Sequence, residues 1–318
     1  MRAVEHNPVR VRRIGPLAWL SIAWLVAIVG AAMFVGLLPI RAANNPDYAL
    51  AIASRGSSWH ATFGATHLLG IDSSGNDLLS AAIRGARTSL LVGFMSVAIG
   101  SLVGCWFGVL SGYGAGLFDV VASFVAHVVL VIPTLLLLML FVAVVSANGD
   151  GITLARFIVA IGVLEVPVFF RISRNATREL ITRPYVHAAR ALGATRLHVL
   201  RREIVPAVVG PVFAFATSAV GSVIVLEGTL SYLGVGVGGS TISWGKMIQA
   251  GANSQGLAGT PHALFVPAGF VFFTVLSCTF LSDAISDSLP HSSVRSGRAS
   301  NESSDAEGGR SHSHESQT

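Results

Sequence analysis

Six long apolar runs constrain the fold of this 318-residue chain more than any other feature. A helix that crosses a bilayer needs about 20 consecutive, mostly apolar residues. Runs of about this length lie at residues 17–38, 90–110, 120–145, 152–170, 207–233 and 263–281. Only 12% of the residues are charged, compared with about 25% in a typical soluble domain, so the chain is too poor in charge to cover a water-facing surface. The sequence therefore predicts an all-α membrane protein with about six transmembrane helices.

Basic residues are distributed unevenly between the two sides that six spans would define. One side carries 15 of the 21 basic residues and the other carries 5. Segments rich in Arg stay in the cytoplasm, so both termini are predicted to be cytoplasmic in a multi-pass protein of the cell membrane. Arg residues beside apolar runs suit anionic membrane lipid as a partner, and no nucleic acid is expected.

The predicted organisation follows from the runs and their polarity. The first run is too long for the apolar part of a signal peptide and is interpreted as a retained helix. The C-terminal tail is rich in Ser, Gly and charge, which is typical of disorder. In order, the segments are a cytoplasmic tail at 1–16, a first transmembrane helix at 17–38, an extracytoplasmic loop and amphipathic lead-in at 39–89, a core with five transmembrane helices at 90–290, and a disordered cytoplasmic tail at 291–318.

Within the core, the polar segment 171–206 carries eight Arg residues and still shows helix signals. Pro184 can occupy the first position of a helix, where its missing N–H costs nothing. Gly193 can end that helix, because glycine tolerates a left-handed conformation. A second short helix is predicted from about Thr195 to Pro206, which opens the fifth transmembrane helix.

One face of the first short helix is narrow and small enough for another surface to approach closely. Helical spacing predicts that Tyr185, Ala188, Ala189 and Leu192 share this face. Physical chemistry leaves two interpretations of the segment. It is either an amphipathic connector with its Arg residues on lipid phosphates, or a docking element for a cytoplasmic partner.

The sequence YVHAARALGA at 185–194 resembles the "EAA" loop of ABC importer permeases, in which Glu-Ala-Ala is followed by Gly and, thirteen residues later, by Pro. Gly193 and Pro206 keep that spacing, whereas His187 stands where the family usually has Glu. Other segments resemble permeases of the dipeptide, oligopeptide and nickel type, and the second-permease type among them. They are LGID at 69–72, NDLLS at 76–80, RGARTSL at 84–90, Gly112-Tyr113, Asp119, Ile132-Pro133, EGTLSYLGVG at 227–236 and SWGKM at 243–247.

The resemblance implies the type I fold of ABC importer permeases, with 171–206 as a coupling loop. It implies ATPase contacts through Tyr185, His187, Ala188, Ala189, Leu192, Gly193 and Pro206. The implied partners are a second homologous permease, two ATP-binding subunits and an extracytoplasmic solute-binding protein. ATP and magnesium would bind the partner subunits, and no cofactor is expected in this chain. The implied cargo is a dipeptide or oligopeptide, with nickel or a metal chelate as the alternative.

A Gly-rich stretch at 234–239 is not a phosphate-binding loop, because such a loop needs Gly-Lys-Ser/Thr. The only lysine, Lys246, is followed by Met247. The chain is therefore not expected to be an ATPase or another enzyme. The glycines at 93, 100, 104 and 108 recur at helical spacing, which is typical of close helix packing and suits a pore lining or a subunit seam.

Polar residues within the apolar runs are candidate pathway or helix-packing residues, since a charge in the bilayer must face protein or water. Glu227 either faces the pathway or makes a structural hydrogen bond. Glu165 is predicted to pair with Arg171 or Arg174, and His127 is expected to bond to another helix. Pro133 is predicted to kink its helix. The competing functions are an ion-coupled secondary transporter, for which Glu165 and Glu227 are the only acidic candidates, and an intramembrane protease; neither has a recognisable motif.

Overall fold

The computed structural model describes residues 15–35, 68–72, 75–114, 116–145, 152–239, 241–253 and 261–288. The predictions for the tails, from 1 to 14 and from 291 onward, and for the loop from 36 to 67 fall outside the described residues. The described helices belong to one compact unit, Arg13–Ser286. They are α1 Pro16–Met33, α2 Leu78–Gly114, α3 Leu117–Val131, α4 Thr134–Val145, α5 Leu154–Ile181, α6 Pro184–Ala191, α7 Arg196–Val199, a π-helical turn Leu200–Ile204, α8 Val205–Tyr232, α9 Trp244–Asn253 and α10 Pro261–Ser288.

Within the described residues, four helical segments are long and apolar enough to cross a membrane, or five if the bent pair of α3 and α4 counts as one span. The four are α1, α2, the continuous helix Arg196–Tyr232 and α10. The predicted run 152–170 lies in α5, where Arg156, Glu165 and Arg171 make the helix too polar to qualify by composition. α5 packs against α2 and α8, so protein covers much of its surface. The prediction of a nearly all-helical membrane protein is confirmed for the described residues.

Two of the predicted spans differ in the structure. α2 begins at Leu78 rather than at residue 90, so the predicted lead-in and the second span are one helix of 37 residues. At 1.5 Å per residue this helix is about 55 Å long, which exceeds the about 30 Å of bilayer hydrocarbon. The predicted run 120–145 is two helices, α3 and α4, at 90° to each other. Pro133 lies in the break between them, because its ring cannot continue a helix.

The core of the fold is the long contact between α2 and α5, which is made through glycines. Gly104 lies so close to α5 that a Cβ atom on it would be 2.6 Å from the carbonyl oxygen of Val166 and 2.7 Å from Cβ of Phe169. Gly100, Gly108 and Gly112 face the same helix. The predicted pore lining or subunit seam is therefore wrong for this stripe, which is used for packing within the chain.

Large apolar side chains are exposed along the outer faces of the spanning helices. Examples are Trp19 and Leu20 on α1, Leu102 and Trp106 on α2, and Phe272 on α10. An exposed surface of this composition would be unstable in water and is compatible with lipid. A helix pairs its backbone groups within the segment, as the bilayer requires, apart from its ends and the turns before Pro167, Pro211 and Pro267.

Candidate functional site

The short helix α6 begins and ends at the two residues that the sequence indicated. Pro184 occupies its first turn after an extended Arg183. At the other end Gly193 has φ +86°, a left-handed conformation. The amide of Gly193 donates to the carbonyl of Arg190 (3.0 Å) and that of Ala194 donates to the carbonyl of Ala189 (3.0 Å). This pair of bonds is a Schellman motif, which stops the helix and turns the chain sharply.

The second predicted short helix is not separate from the fifth span. Thr195 caps α7, and its side chain accepts a hydrogen bond from the amide of His198 (3.3 Å). α7 then runs through the π-helical turn into α8, so the chain is helical from Arg196 to Tyr232. Pro206 is in the first turn of α8. It has no N–H for the carbonyl of Arg202, and the wider turn relieves the clash of its ring with that carbonyl.

The predicted face of α6 is divided between solvent and core. Val186 is fully buried beneath the helix, and Ala189 packs against the core beside it. Ala188 is exposed, as are Tyr185 and Leu192, of which Leu192 is 89% exposed. His187 is also exposed. Ala189 therefore belongs to the inner side of α6, because it lies three residues after Val186 and so shares its face of the helix.

An aromatic contact fixes α6 and α7 to the end of α2. The Tyr113 hydroxyl donates to the carbonyl of Arg196 at 3.0 Å. The guanidinium of Arg190 lies over the Tyr113 ring, 5.6 Å from its centroid. A cation in this position is attracted by the ring quadrupole. The end of α2 and the two short helices therefore form one connected surface.

A buried carboxylate that sequence analysis did not assign a role joins α3 to two other helices, α2 and α5. Asp119, in the first turn of α3, accepts hydrogen bonds from the Ser111 hydroxyl (2.5 Å), from Arg174 Nε (2.5 Å) and Nη2 (3.1 Å), and from Arg178 Nη2 (2.5 Å). Arg174 and Arg178 are four residues apart and share one face of α5. The spacing of the two arginines and the acidic residue at the start of an apolar helix were the signals in the sequence for this junction. The predicted partner of Arg174, Glu165, is nine residues away on another face of α5.

Replacement of Asp119 by Asn is expected to destabilise this junction by somewhat less than the about 3–5 kcal/mol found when one partner of a buried ion pair is removed. The loss of stability is smaller than for a fully buried pair because Arg178 is 45% exposed, so water screens its interaction with Asp119. The measurement is the thermal unfolding of the purified chain in detergent. The matched control is Glu179→Gln, which breaks the exposed Glu179–Arg183 pair on the same helix and should cost at most about 0.5 kcal/mol. Equal losses in both variants would contradict the assigned role of Asp119.

Glu227 is fully buried and lies at a junction of three helices. Its carboxylate accepts hydrogen bonds from the Ser89 hydroxyl (3.0 Å) and the Ser231 hydroxyl (2.7 Å). Ser89 Oγ in turn accepts from the backbone amide of Trp244 (3.2 Å), whose indole N–H donates to the carbonyl of Ala82 (2.8 Å). These contacts tie α2, α8 and α9 together and favour the structural interpretation of Glu227. A role in the pathway stays a prediction.

The other intramembrane candidates are not gathered into a single site. Glu165 is half-buried where α5 crosses Gly100, and within the described part of the chain it forms an ion pair with neither Arg171 nor Arg174. His127 is exposed, and its Nδ1 is 2.5 Å from the carbonyl oxygen of Ser123 in its own helix, not in another helix as predicted. Its spacing from Ser123 is one helical turn, which brings the ring back onto that carbonyl. The described residues contain no group of three or more His, Cys, Asp or Glu side chains that could hold a metal ion.

A family match and two similar relatives of this chain both point to transport proteins. Residues 100–290 match the family described as "Binding-protein-dependent transport system inner membrane component". The chain is 32% identical over 278 residues to the glutathione transport system permease protein GsiD of Pectobacterium atrosepticum, covering 87% of each sequence. It is 34% identical over 223 residues to GsiD of Escherichia coli O1:K1, covering 70% of this chain and 71% of the relative.

A solved structure of the MetNI methionine ABC transporter in an inward-facing conformation has a similar fold. The TM-score is 0.54 at 23% sequence identity, and the match covers 67% of this chain and 98% of the chain in that structure. Likeness at this identity concerns the fold. It supports the helical arrangement around α2, α5 and α8, and it agrees with the resemblance inferred from the motifs.

Proposed function

Because the chain belongs to the family of binding-protein-dependent transport system inner membrane components, which are permease subunits of ABC importers, we propose that it forms half of a pathway for the import of short peptides. Members of this family work with a second permease, ATP-binding subunits and a binding protein, and the partner subunits handle ATP. We propose a second homologous permease, two ATP-binding subunits with ATP and magnesium, and an extracytoplasmic solute-binding protein as the partners of this chain.

The proposed cargo rests on the named function of the relatives. Both GsiD proteins are named as glutathione transport permeases, and glutathione is a peptide-like molecule. The relatives thus favour a short peptide over nickel or a metal chelate as the cargo. Glutathione itself and dipeptides of similar size are the first substrates to test.

The docking proposal rests mainly on the exposure of Leu192 at the end of α6, a helix that is anchored to the rest of the chain. Val186 and the Schellman motif hold α6 rigidly, while Leu192 and Tyr185 extend outward. A cluster of exposed apolar side chains on an anchored helix is the kind of surface that a protein partner covers. We assign the contact with the ATP-binding subunits to Tyr185, His187, Ala188 and Leu192, with Gly193 as the turn that presents them and Ala189 as part of the anchor.

A movement of the docking surface would be transmitted to a membrane-spanning helix through a short connection. Leu192 is only four residues before Arg196, where the helix that continues to Tyr232 begins. A displacement of α6 would therefore move the cytoplasmic end of a spanning helix directly, because only the short turn at 192–195 lies between them. This arrangement requires α6, and both termini, to lie on the cytoplasmic side, as the distribution of Arg residues predicts.

The proposal is tested first by purification of the tagged full-length chain from its native membrane in mild detergent. The expected result is co-purification of two ATP-binding subunits and a second permease. Recovery of well-folded chain alone would contradict the proposal and favour the ion-coupled secondary transporter.

The cargo is tested separately by uptake of labelled glutathione and of a labelled dipeptide into cells with and without the gene. Deletion is expected to abolish the peptide uptake that depends on this importer and to leave nickel uptake unchanged. Loss of nickel uptake with normal peptide uptake would replace the peptide by a metal chelate as cargo.

A further inference from the structure

A basic cleft opens where the end of α2 meets α6 and α7. Its volume is about 700 Å³, and it is lined by Gly112, Tyr113, Gly114, Arg178, Ile181, Arg190 and Arg196. Arg178, Arg190 and Arg196 come from three consecutive helices, α5, α6 and α7, and the turns between these helices bring them to one cleft. The cleft is distinct from the exposed face of α6 that carries Leu192.

The positive charge of this cleft is only partly neutralised within the described residues. Asp119 is shared by Arg178 and Arg174, so one carboxylate serves two guanidinium groups. Among the described residues no carboxylate pairs with Arg190 or Arg196. Arg190 is held by the Tyr113 ring instead, a contact that orients the cation and leaves its charge in place.

Guanidinium groups suit a phosphate better than other common anions, because they can donate two parallel hydrogen bonds to its oxygens. Basic pockets between helices at the cytoplasmic membrane surface bind phospholipid head groups for the same reason. Tyr113 adds a rigid wall, since its hydroxyl is already bonded to the carbonyl of Arg196. The cleft thus offers fixed positive charge and space for one phosphate-sized group.

The surface beside the cleft is apolar. Leu110 precedes the lining residue Gly112 by two positions, and Leu117 and Phe118 follow Gly114 at the start of α3; all three are exposed. Phe118 also stacks near Phe107 of α2, with ring centroids 6.3 Å apart. A ligand with both a phosphate and acyl chains could bind the arginines and cover these side chains together. A free phosphate would leave them uncovered.

We propose that the cleft between the end of α2 and helices α6 and α7 binds a phosphate group, through Arg178, Arg190 and Arg196, and that its source is the head group of an anionic phospholipid. A lipid bound here would contact the docking helix and the end of a spanning helix at once. The membrane would thereby support the geometry of the docking surface. This inference goes beyond the proposed function and shares with it only the predicted cytoplasmic side of α6.

The test measures equilibrium binding of short-chain phosphatidylglycerol, short-chain phosphatidylcholine and inorganic phosphate to the full-length chain in a neutral detergent. Phosphatidylglycerol is expected to bind more tightly than the other two. The double variant R190Q/R196Q should weaken phosphatidylglycerol binding by about ten- to thirty-fold, as expected for two basic residues at an anionic lipid. The charge-conserving variant R190K/R196K should bind phosphatidylglycerol less tightly than the native chain and more tightly than R190Q/R196Q, because lysine keeps the charge and loses the paired hydrogen bonds.

The matched control is R201Q/R202Q, which removes the same charge from the exposed π-helical turn nearby. It should leave phosphatidylglycerol binding within about twofold of the native chain, since both arginines lie outside the cleft. Equal weakening in both double variants would overturn the site in favour of general attraction to anionic lipid. Inorganic phosphate that binds as tightly as phosphatidylglycerol would overturn the lipid source. Release of phosphatidylglycerol when the ATP-binding subunits assemble would assign the cleft to a protein contact and overturn the proposal.

Discussion

Gly104→Ala is expected to prevent the packing of α2 on α5 and to abolish the accumulation of folded protein. The new Cβ would lie 2.6 Å from the carbonyl oxygen of Val166 and 2.9 Å from the amide nitrogen of Phe170. Backbone atoms cannot rotate away, so the two helices would have to separate along the glycine stripe. Overpacking of this kind typically costs about 1–3 kcal/mol, and the loss should lie at or above the top of that range because the stripe is continuous. The measurement is the amount of monodisperse protein in detergent before and after heating.

The matched control is Gly269→Ala in α10, another spanning helix. A Cβ atom at Gly269 would have no neighbour within 4 Å. Alanine is favoured over glycine in a helix by up to about 1 kcal/mol, so the control is expected to be as stable as the native chain or slightly more stable. Similar yields and melting temperatures for the two variants would show that the close approach of α2 and α5 is not required.

Leu192→Glu is expected to abolish peptide uptake while leaving the isolated chain folded. Leu192 is 89% exposed, so the substitution removes little packing within the chain. In a complex it would place an unpaired carboxylate in an apolar contact. A buried charged group left unpaired costs more than the about 1–3 kcal/mol found for a neutral polar group, and about 2 kcal/mol is equivalent to about thirty-fold in affinity. The ATP-binding subunits should fail to co-purify, and uptake should fall by at least the same factor.

The control for this experiment is Ala191→Glu, which adds the same charge at the neighbouring exposed position of α6. Adjacent helical positions point about 100° apart, so this carboxylate is directed away from Leu192. Uptake is expected to stay within about threefold of the native level, because an exposed charge at the rim of an interface has a small effect. Normal co-purification of the ATP-binding subunits with Leu192→Glu would refute the docking surface.

Local signals predicted the elements whose geometry depends on neighbouring residues in the sequence. Pro184 and Gly193 correctly bounded α6 because a helix start and a left-handed turn are set by the residues that occupy them. Pro133 marked the interruption between α3 and α4, although the angle of 90° depends on packing. The apolar runs located most of the spanning helices by length alone.

Long-range contacts decided the features that the sequence did not reveal. The role of Asp119 depends on arginines more than 50 residues away, so spacing could not indicate it. The start of α2 includes the polar residues Ser80 and Ser89, and it is buried because α8 and α9 pack against it through Glu227 and Trp244. Ala189 faces inward for a similar reason, since the orientation of α6 is fixed by its tertiary contacts. The separation of Glu165 and Arg174, by contrast, follows from helix geometry alone, since nine residues on one helix place them on opposite faces of α5.

The break at Pro133 has a consequence for what surrounds the chain in the bilayer. At 1.5 Å per residue α3 and α4 are about 22 Å and 18 Å long, so neither crosses the hydrocarbon layer alone. A helix end leaves its last carbonyl groups without donors four residues later; at the end of α3 the carbonyl of Val129 instead accepts from the amide of Ile132 at 3.3 Å. Hydrocarbon cannot hydrate these groups, and Val131 and Ile132 at the break are exposed in the isolated chain. Backbone of this kind persists at membrane depth only against protein or beside water. The bend therefore has to face a neighbouring subunit or an aqueous passage, which makes it a marker for the side of the chain that lipid does not cover.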